Sequence, residues 1–152
     1  MLKVEHVFKT FNPGTITEKK ALKDLSLYLA PGDFVTVIGG NGAGKSTMLN
    51  SISGNFLVDK GSITIDGTDI TGWPEHRRAK YIGRVFQDPM MGTAAGMQIE
   101  ENLAIAARRN RRPTLAWSAR SSQREQFREM LASLGFGLED RLESKVGLLS
   151  GG

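Results

Sequence analysis

The chain has 152 residues, 39% of them hydrophobic and 24% charged, with a formal net charge of +4 and no cysteine. That length suits one ordinary domain, and the composition excludes a disordered or fibrous chain, a disulfide framework, a thiolate metal site and a cysteine nucleophile. No apolar stretch approaches the length needed to cross a bilayer, the lack of cysteine fits a reducing compartment, and a cytoplasmic protein is expected. The positive excess is local, gathered in Arg77, Arg78 and Lys80 and again in Arg108, Arg109, Arg111 and Arg112.

In chain order, Leu2, Val4 and Val7 open a first strand. Leu25, Leu27 and Leu29 then alternate with Ser26, Tyr28 and Ala30 up to a Pro31-Gly32 turn, which predicts antiparallel structure. Phe34, Val35, Val37 and Ile38 form a nearly continuous apolar run, the pattern of a strand buried on both faces, and it leads straight into glycines. A helix is predicted from Lys45 to about Ser53, with Met48, Leu49 and Ile52 as its apolar face and Gly54 as its stop. Ser62 to Ile65 alternate as a strand, Asp66-Gly67 signals a hairpin, Pro74 to Lys80 reads as a short charged helix, and Ile82 to Phe86 returns to strand.

From Pro89 to Gly96 the chain reads as loop, and the remainder is helical by period. Ile99, Leu103 and Ala106 share one face; Phe127, Met130, Leu131 and Leu134 share another, behind a capping box at Ser122 and Glu125. This period predicts Phe127, Met130 and Leu131 inside and Arg124, Glu125 and Arg128 in solvent. Between the helices, Arg108 to Ala119 is a basic, exposed connector. With Trp117 its one nearby aromatic, it lacks the interleaved aromatics that nucleic-acid binding favours. His6 and His76 stand alone and are assigned no chemistry.

Gly39-Gly40-Asn41-Gly42-Ala43-Gly44-Lys45-Ser46, followed by Thr47, fits the pattern of a phosphate-binding loop between a strand and a helix. The chemistry needs these residue types. Glycines let successive backbone N–H groups turn inward as an anion nest, and the helix opening at Lys45 aims its positive dipole end at the same point. Lys45 adds a full charge for the β and γ phosphates, and the Ser46 hydroxyl is a Mg²⁺ ligand. A dinucleotide fingerprint fails, because it would need glycine where Lys45 or Thr47 stands.

Further motifs carry a family resemblance. Arg84-Val85-Phe86-Gln87-Asp88-Pro89 resembles the Q-loop of ABC ATPases, and Leu149-Ser150-Gly151-Gly152 resembles their signature motif, in the expected order. Lys9-Thr10-Phe11 falls where that family keeps an aromatic to stack on adenine, with Phe8 as the rival position, and Ala21 to Leu27 resembles its second strand. The resemblance covers the whole chain. It implies an α/β fold: a RecA-like P-loop NTPase core, an antiparallel β subdomain and a helical subdomain. Residues 1–35 and 60–72 would form the β subdomain, 36–59 and 73–95 the core, and 96–152 the helical part.

By the same resemblance, ATP and Mg²⁺ are the expected ligands, Phe11 stacks on the base, and Gln87 holds water or Mg²⁺. Two such domains close head to tail, so that Ser150, Gly151 and Gly152 cap the nucleotide of the second subunit. The stretch from Gln87 to Ala95, with Ile99 to Leu103, most resembles bacterial importers. Transmembrane permease subunits, and in some cases a substrate-binding protein, would be partners, at the inner face of the cell membrane. The alternative is a soluble ABC-type ATPase acting on nucleic acid or ribosomes. The family's C-terminal part of the core, with its metal-organising aspartate and its glutamate base, has no counterpart up to Gly152, so residues 1–152 alone are expected to hydrolyse ATP weakly or not at all.

Overall fold

The computed structural model describes residues 1–109 and 121–149, leaving aside the side chains of Pro89, Ser121 and Ser122. They fall into two compact units, Met1–Arg84 and the part from Val85 onward.

The first unit is built on strands β1 (Leu2–Phe11), β2 (Lys19–Leu29), β3 (Lys60–Ile65) and β4 (Thr68–Asp69), with helix α1 (Lys45–Ser53) and the single turn α2 (Glu75–Arg78). The sheet is antiparallel, in the order β2-β1-β3-β4. Strict alternation would send Val4 and Val7 of β1 to opposite faces, yet both are buried. A register shift lies between them, and His6 has a φ of 49°. This bulge turns both valines inward. Asp24, at a φ of 58°, stands between Leu22 and Leu25 of β2, which join the same core. His6 Nδ1 and Asp24 Oδ1 meet across the two irregularities at 2.7 Å.

The hairpin signal at Asp66-Gly67 is met in full: Ile65 pairs with Thr68, and the two turn residues have φ of 48° and 77°. Positive φ at both positions is what a type I′ turn demands. Met48 of α1 completes a core with Val4, Val7, Leu22, Ile63 and Ile70, so the helix behind the glycine loop packs on the sheet through that residue. Leu49, expected on the same face, is exposed.

Phe34 to Ile38, read as a buried strand, and Ile82 to Phe86, read as a strand, form none. Residues 33–40 and 82–86 are irregular, with Phe34 93% and Val85 98% exposed. A strand needs a neighbour to form its ladder, and among the described residues neither run finds a strand to pair with.

The second unit holds α3 (Ile99–Ala107) and α4 (Ser121–Ala132), with short 3₁₀ turns at Pro89–Gly92, Glu139–Arg141 and Val146–Leu148. Ile99, Ala104, Phe127, Leu131 and Leu142 form its core. Met130, predicted inside, is 56% exposed. The period places it on the right side of α4, but the buried stripe is narrower than the apolar one. Arg124 is only half-exposed and is bound by carboxylates: Glu100 of α3 accepts from its Nε and Nη2, the latter at 3.0 Å, and Glu143 accepts from Nη2 at 2.6 Å. These two acids hold the guanidinium charged well above its ordinary range, hydrogen bonding from Glu100 being the larger cause. α3 carries a capping pair that the sequence reading did not find, Gln98 N–H donating to Glu101 Oε2 at 2.8 Å.

Candidate phosphate site

The glycine loop lies wholly in the first unit. Ala43 N–H donates to the Gly40 carbonyl at 3.2 Å, closing a turn, and Gly42 and Gly44 take φ of 83° and 91°. Gly44 is the N-cap of α1, and its own carbonyl accepts from Met48 N–H at 2.8 Å. A Cβ at Gly44 would meet the Ala21 carbonyl oxygen at 2.8 Å, so glycine is required there by space as well as by φ. No side chain caps this helix, and no acid stands in its first turn. Its leading N–H groups are therefore left for an anion, with the dipole undiminished.

Lys45 is folded over the loop. Its Nζ donates to the carbonyls of Gly39 at 2.5 Å and Gly40 at 2.8 Å. Two of three ammonium protons are thereby spent on fixing the charge, and one remains for a ligand oxygen. Asn41, Ala43 and Ser46 are exposed and Thr47 is half-buried. Amide donors, one fixed cation and two hydroxyls, with no acid in the first turn of the helix, suit a polyphosphate. Beside the loop, edge strand β2 and Gly42 with Ala43 line a shallow groove of about 530 Å³, open to solvent.

Phe11 ends β1. It pairs with Lys19, two residues before the Ala21 that abuts Gly44, which puts the aromatic on the strand pair next to the phosphate loop. Its ring is half-buried and packs edge-to-face on Phe56, with centroids 5.2 Å apart and planes at 85°. Lys9 Nζ lies 5.7 Å from the Phe11 centroid and 5.6 Å from that of Phe56. The ammonium is held by Asp59, whose carboxylate also accepts from Thr10 N–H at 2.6 Å. Phe8, the rival platform, is exposed on a neighbouring stretch of the same strand.

Hydrogen bonding from Lys9, helped by Thr10 N–H and opposed by partial burial, keeps the Asp59 carboxyl below its ordinary value of 3.8. A carboxyl whose pKa falls on folding stabilises the fold above its unfolded value and loses that contribution as pH drops through the folded one. Between pH 7 and 5 the melting temperature is therefore expected to show no Asp59-dependent change. Below pH 4 the difference between wild type and Asp59→Asn is expected to shrink toward zero, as read by thermal melts across the acid range. A difference that persists undiminished at pH 2 would show that the carboxylate charge is not what stabilises this corner.

Gln87 belongs to the second unit, where it is exposed. The next residue, Asp88, is engaged locally, its Oδ1 accepting from Met90 N–H at 2.9 Å as the cap of the Pro89–Gly92 turn. Ser150, Gly151 and Gly152 lie outside the described residues. The chain leading to them is anchored on α3: Ile99 N–H donates to Ser144 O, Glu100 N–H to Leu142 O and Val146 N–H to Met97 O, each at 3.0 Å. The turn and helix start fall where the sequence places the glycine loop, but sequence reasoning gave no role to Lys9 and did not single out Phe56 or Asp59 around Phe11. It gave Arg78 no role beyond the charge of a short helix; the side chain is fully buried. A single aromatic or acid in a loop carries no pattern that would have flagged it.

A glycine nest, an uncapped helix and a lysine folded over them define a P-loop nucleotide-binding protein. Residues 22–152 match the family profile described as ABC transporter, and the chain belongs to that family. It is 38% identical over 157 residues to a tyrosine transport ATP-binding protein of Clostridioides difficile, covering all of this chain and 60% of that protein. It is 36% identical to a methionine import ATP-binding protein of Corynebacterium efficiens, covering 96% of this chain and 39% of the other. Among solved structures it resembles a dimeric ATP-binding cassette in a post-hydrolysis state with ADP and Pi bound, at a TM-score of 0.76 and 28% identity, over 99% of this chain and 63% of that one. The fold is accordingly that of an ABC ATPase cassette, and the chain spans about 60% of the length of the first of these relatives.

Proposed function

We propose that this chain is the nucleotide-holding part of an ATP-binding, energy-coupling subunit of an ABC membrane transporter of the importer type. The observation that carries this is the phosphate site, in which Lys45 is fixed by Gly39 and Gly40 at the uncapped start of α1. The import and transport names of the relatives support the cargo-moving reading over one on nucleic acid or ribosomes. In this reading the loop N–H groups and Lys45 bind the phosphates, Phe11 stacks on adenine, and the Ser46 hydroxyl and Gln87 amide oxygen hold Mg²⁺. Mg²⁺, when bound, offsets phosphate charge and orients the γ phosphate.

The dimeric cassette supports pairing with a second subunit, with Ser150, Gly151 and Gly152 acting on the partner's nucleotide. Permease subunits would place the pair at the cytoplasmic face of the membrane; a substrate-binding protein would complete an importer. The β, core and helical subdomains would be divided as the sequence analysis sets out.

Within residues 1–152 the groups for holding ATP are present, but the acid nearest Gln87 in sequence is committed to a turn. Attack on the γ phosphate needs a positioned water and a base, and an amide is a poor base near neutral pH. Phosphate release is expected to be weak for residues 1–152 alone and substantial for the intact subunit assembled with its membrane partners, with Lys45→Ala as the contamination control. An intact, assembled subunit without Lys45-dependent turnover would overturn the proposed function.

A further inference from the structure

The segment after α1 ties the phosphate-loop helix to the aromatic at the end of β1. Gly54 and Asn55 N–H groups both donate to the Asn50 carbonyl, at 3.1 and 3.0 Å, so the residues following α1 leave the helix on a fixed path. Two residues beyond Gly54 stands Phe56. A little further on, Asp59 N–H donates to the Phe8 carbonyl at 2.9 Å, and the Asp59 carboxylate takes both Lys9 and Thr10 N–H. Phe56 is thus carried by a segment fastened at one end to α1 and at the other to β1. Its ring meets the face or edge of Phe11 at 85°.

The three separations among Phe11, Phe56 and Lys9 Nζ, 5.2, 5.7 and 5.6 Å, close a nearly equilateral triangle. Seen from Phe11, the other two therefore lie in neighbouring directions, close enough for both to act on the same ring. Edge-to-face packing and a nearby cation both depend on ring orientation, so together they restrict the tilt of Phe11.

We propose that Phe56 is a positioning residue for the nucleotide base: it sets the plane of Phe11 against the helix that carries the phosphate loop, so that base and phosphates are held at one fixed separation. The inference rests on the reading that Phe11 stacks on adenine. It gives Phe56 no contact with the nucleotide; its effect passes through Phe11.

The test is binding of ATP and of inorganic tripolyphosphate, measured calorimetrically on the intact protein, for Phe11→Ala, Phe56→Leu, Phe56→Met, Phe56→Tyr and the double variant Phe11→Ala with Phe56→Leu. Loss of the ring edge is expected to weaken ATP binding about fivefold, the scale of one aromatic pair, in both Phe56→Leu and Phe56→Met. Tripolyphosphate affinity should stay unchanged. Phe56→Tyr, which keeps the ring, should restore ATP binding, and Phe56→Leu should add no further loss once Phe11 is alanine. Wild-type ATP affinity in Phe11→Ala would overturn the stacking reading and this inference together. Loss in Phe11→Ala with none in Phe56→Leu or Phe56→Met would overturn the inference alone. Equal loss of ATP and tripolyphosphate in both Phe56 variants would also overturn it, by assigning the ring to general packing.

Discussion

Lys45→Ala is expected to weaken ATP binding by about two orders of magnitude, from the roughly 3 kcal/mol that a charge-assisted hydrogen bond to an ionised group contributes. The ammonium is placed before any ligand arrives: the Gly39 and Gly40 carbonyls hold it over the loop, so little side-chain entropy remains to be lost on binding. Alanine keeps the helix intact, since it is the best helix former and Lys45 occupies the first helical position after the Gly44 cap. The variant should therefore melt close to wild type without nucleotide and lose most of the stabilisation that ATP confers. Tripolyphosphate should lose as much as ATP, because the deleted charge faces phosphate and not base. Calorimetric titration decides it. Equal ATP affinity of the two proteins would sink the phosphate-site assignment, and with it the proposed function.

The parts of this molecule that could be read from sequence are those whose cause is local. The loop from Gly39 to Ser46 is contiguous, and its geometry follows from glycines that reach positive φ and a helix that starts beside them. The Asp66-Gly67 turn is local for the same reason, as is the inward face of Phe127 and Leu131 on α4. Periodicity identified the buried side of α4 but not the width of what is buried, and on α3 it named Ala106, which is exposed, in place of Ala104, which is buried. That width depends on the neighbour that packs against it, which is why Leu49 and Met130 emerge exposed. The runs at Phe34 to Ile38 and Ile82 to Phe86 read as strands, the first as a buried one, but a strand is a property of a pair, and composition cannot supply the partner. Long-range meetings were out of reach for the same reason. Nothing in the spacing of His6 and Asp24, or of Phe11 and Phe56, announces that bulged strands and a fixed loop bring them together.

Arg78 is given no structural role from sequence, and substitutions there should carry the largest cost in stability. It stands among charged residues in a short helix, yet it is 0% exposed. Its guanidinium is spent entirely on main-chain carbonyls: Nε donates to Trp73 at 2.7 Å, Nη2 to Thr71 at 2.8 Å, and Nη1 to Ser51 at 2.6 Å and Ile52 at 3.0 Å. The last two belong to the C-terminal turn of α1, where carbonyls lack intrahelical partners and the dipole favours a cation. Burial pushes the guanidinium below its ordinary value and the charge of Asp69 partly restores it, but arginine remains protonated at any ordinary pH. Gly54 makes room: a Cβ there would meet Arg78 Nε at 2.8 Å, at a φ of 86°. Arg78→Met, similar in length but without donors, would leave four carbonyls, one of them in a buried bond and three in part-buried ones, short of a partner, and is expected to cost about 3 kcal/mol or more. Arg78→Lys should recover only part, because an ammonium cannot reproduce the planar fork that reaches two strand-side and two helix-side oxygens. Because α1 also carries the phosphate loop, saturating ATP should raise the melting temperature of Arg78→Met, narrowing its gap to nucleotide-free wild type without abolishing the gap to ATP-bound wild type. Thermal melts of the three proteins, with and without ATP, provide the test. An Arg78→Lys protein that melts with wild type would show that charge alone, not the forked geometry, holds the end of α1.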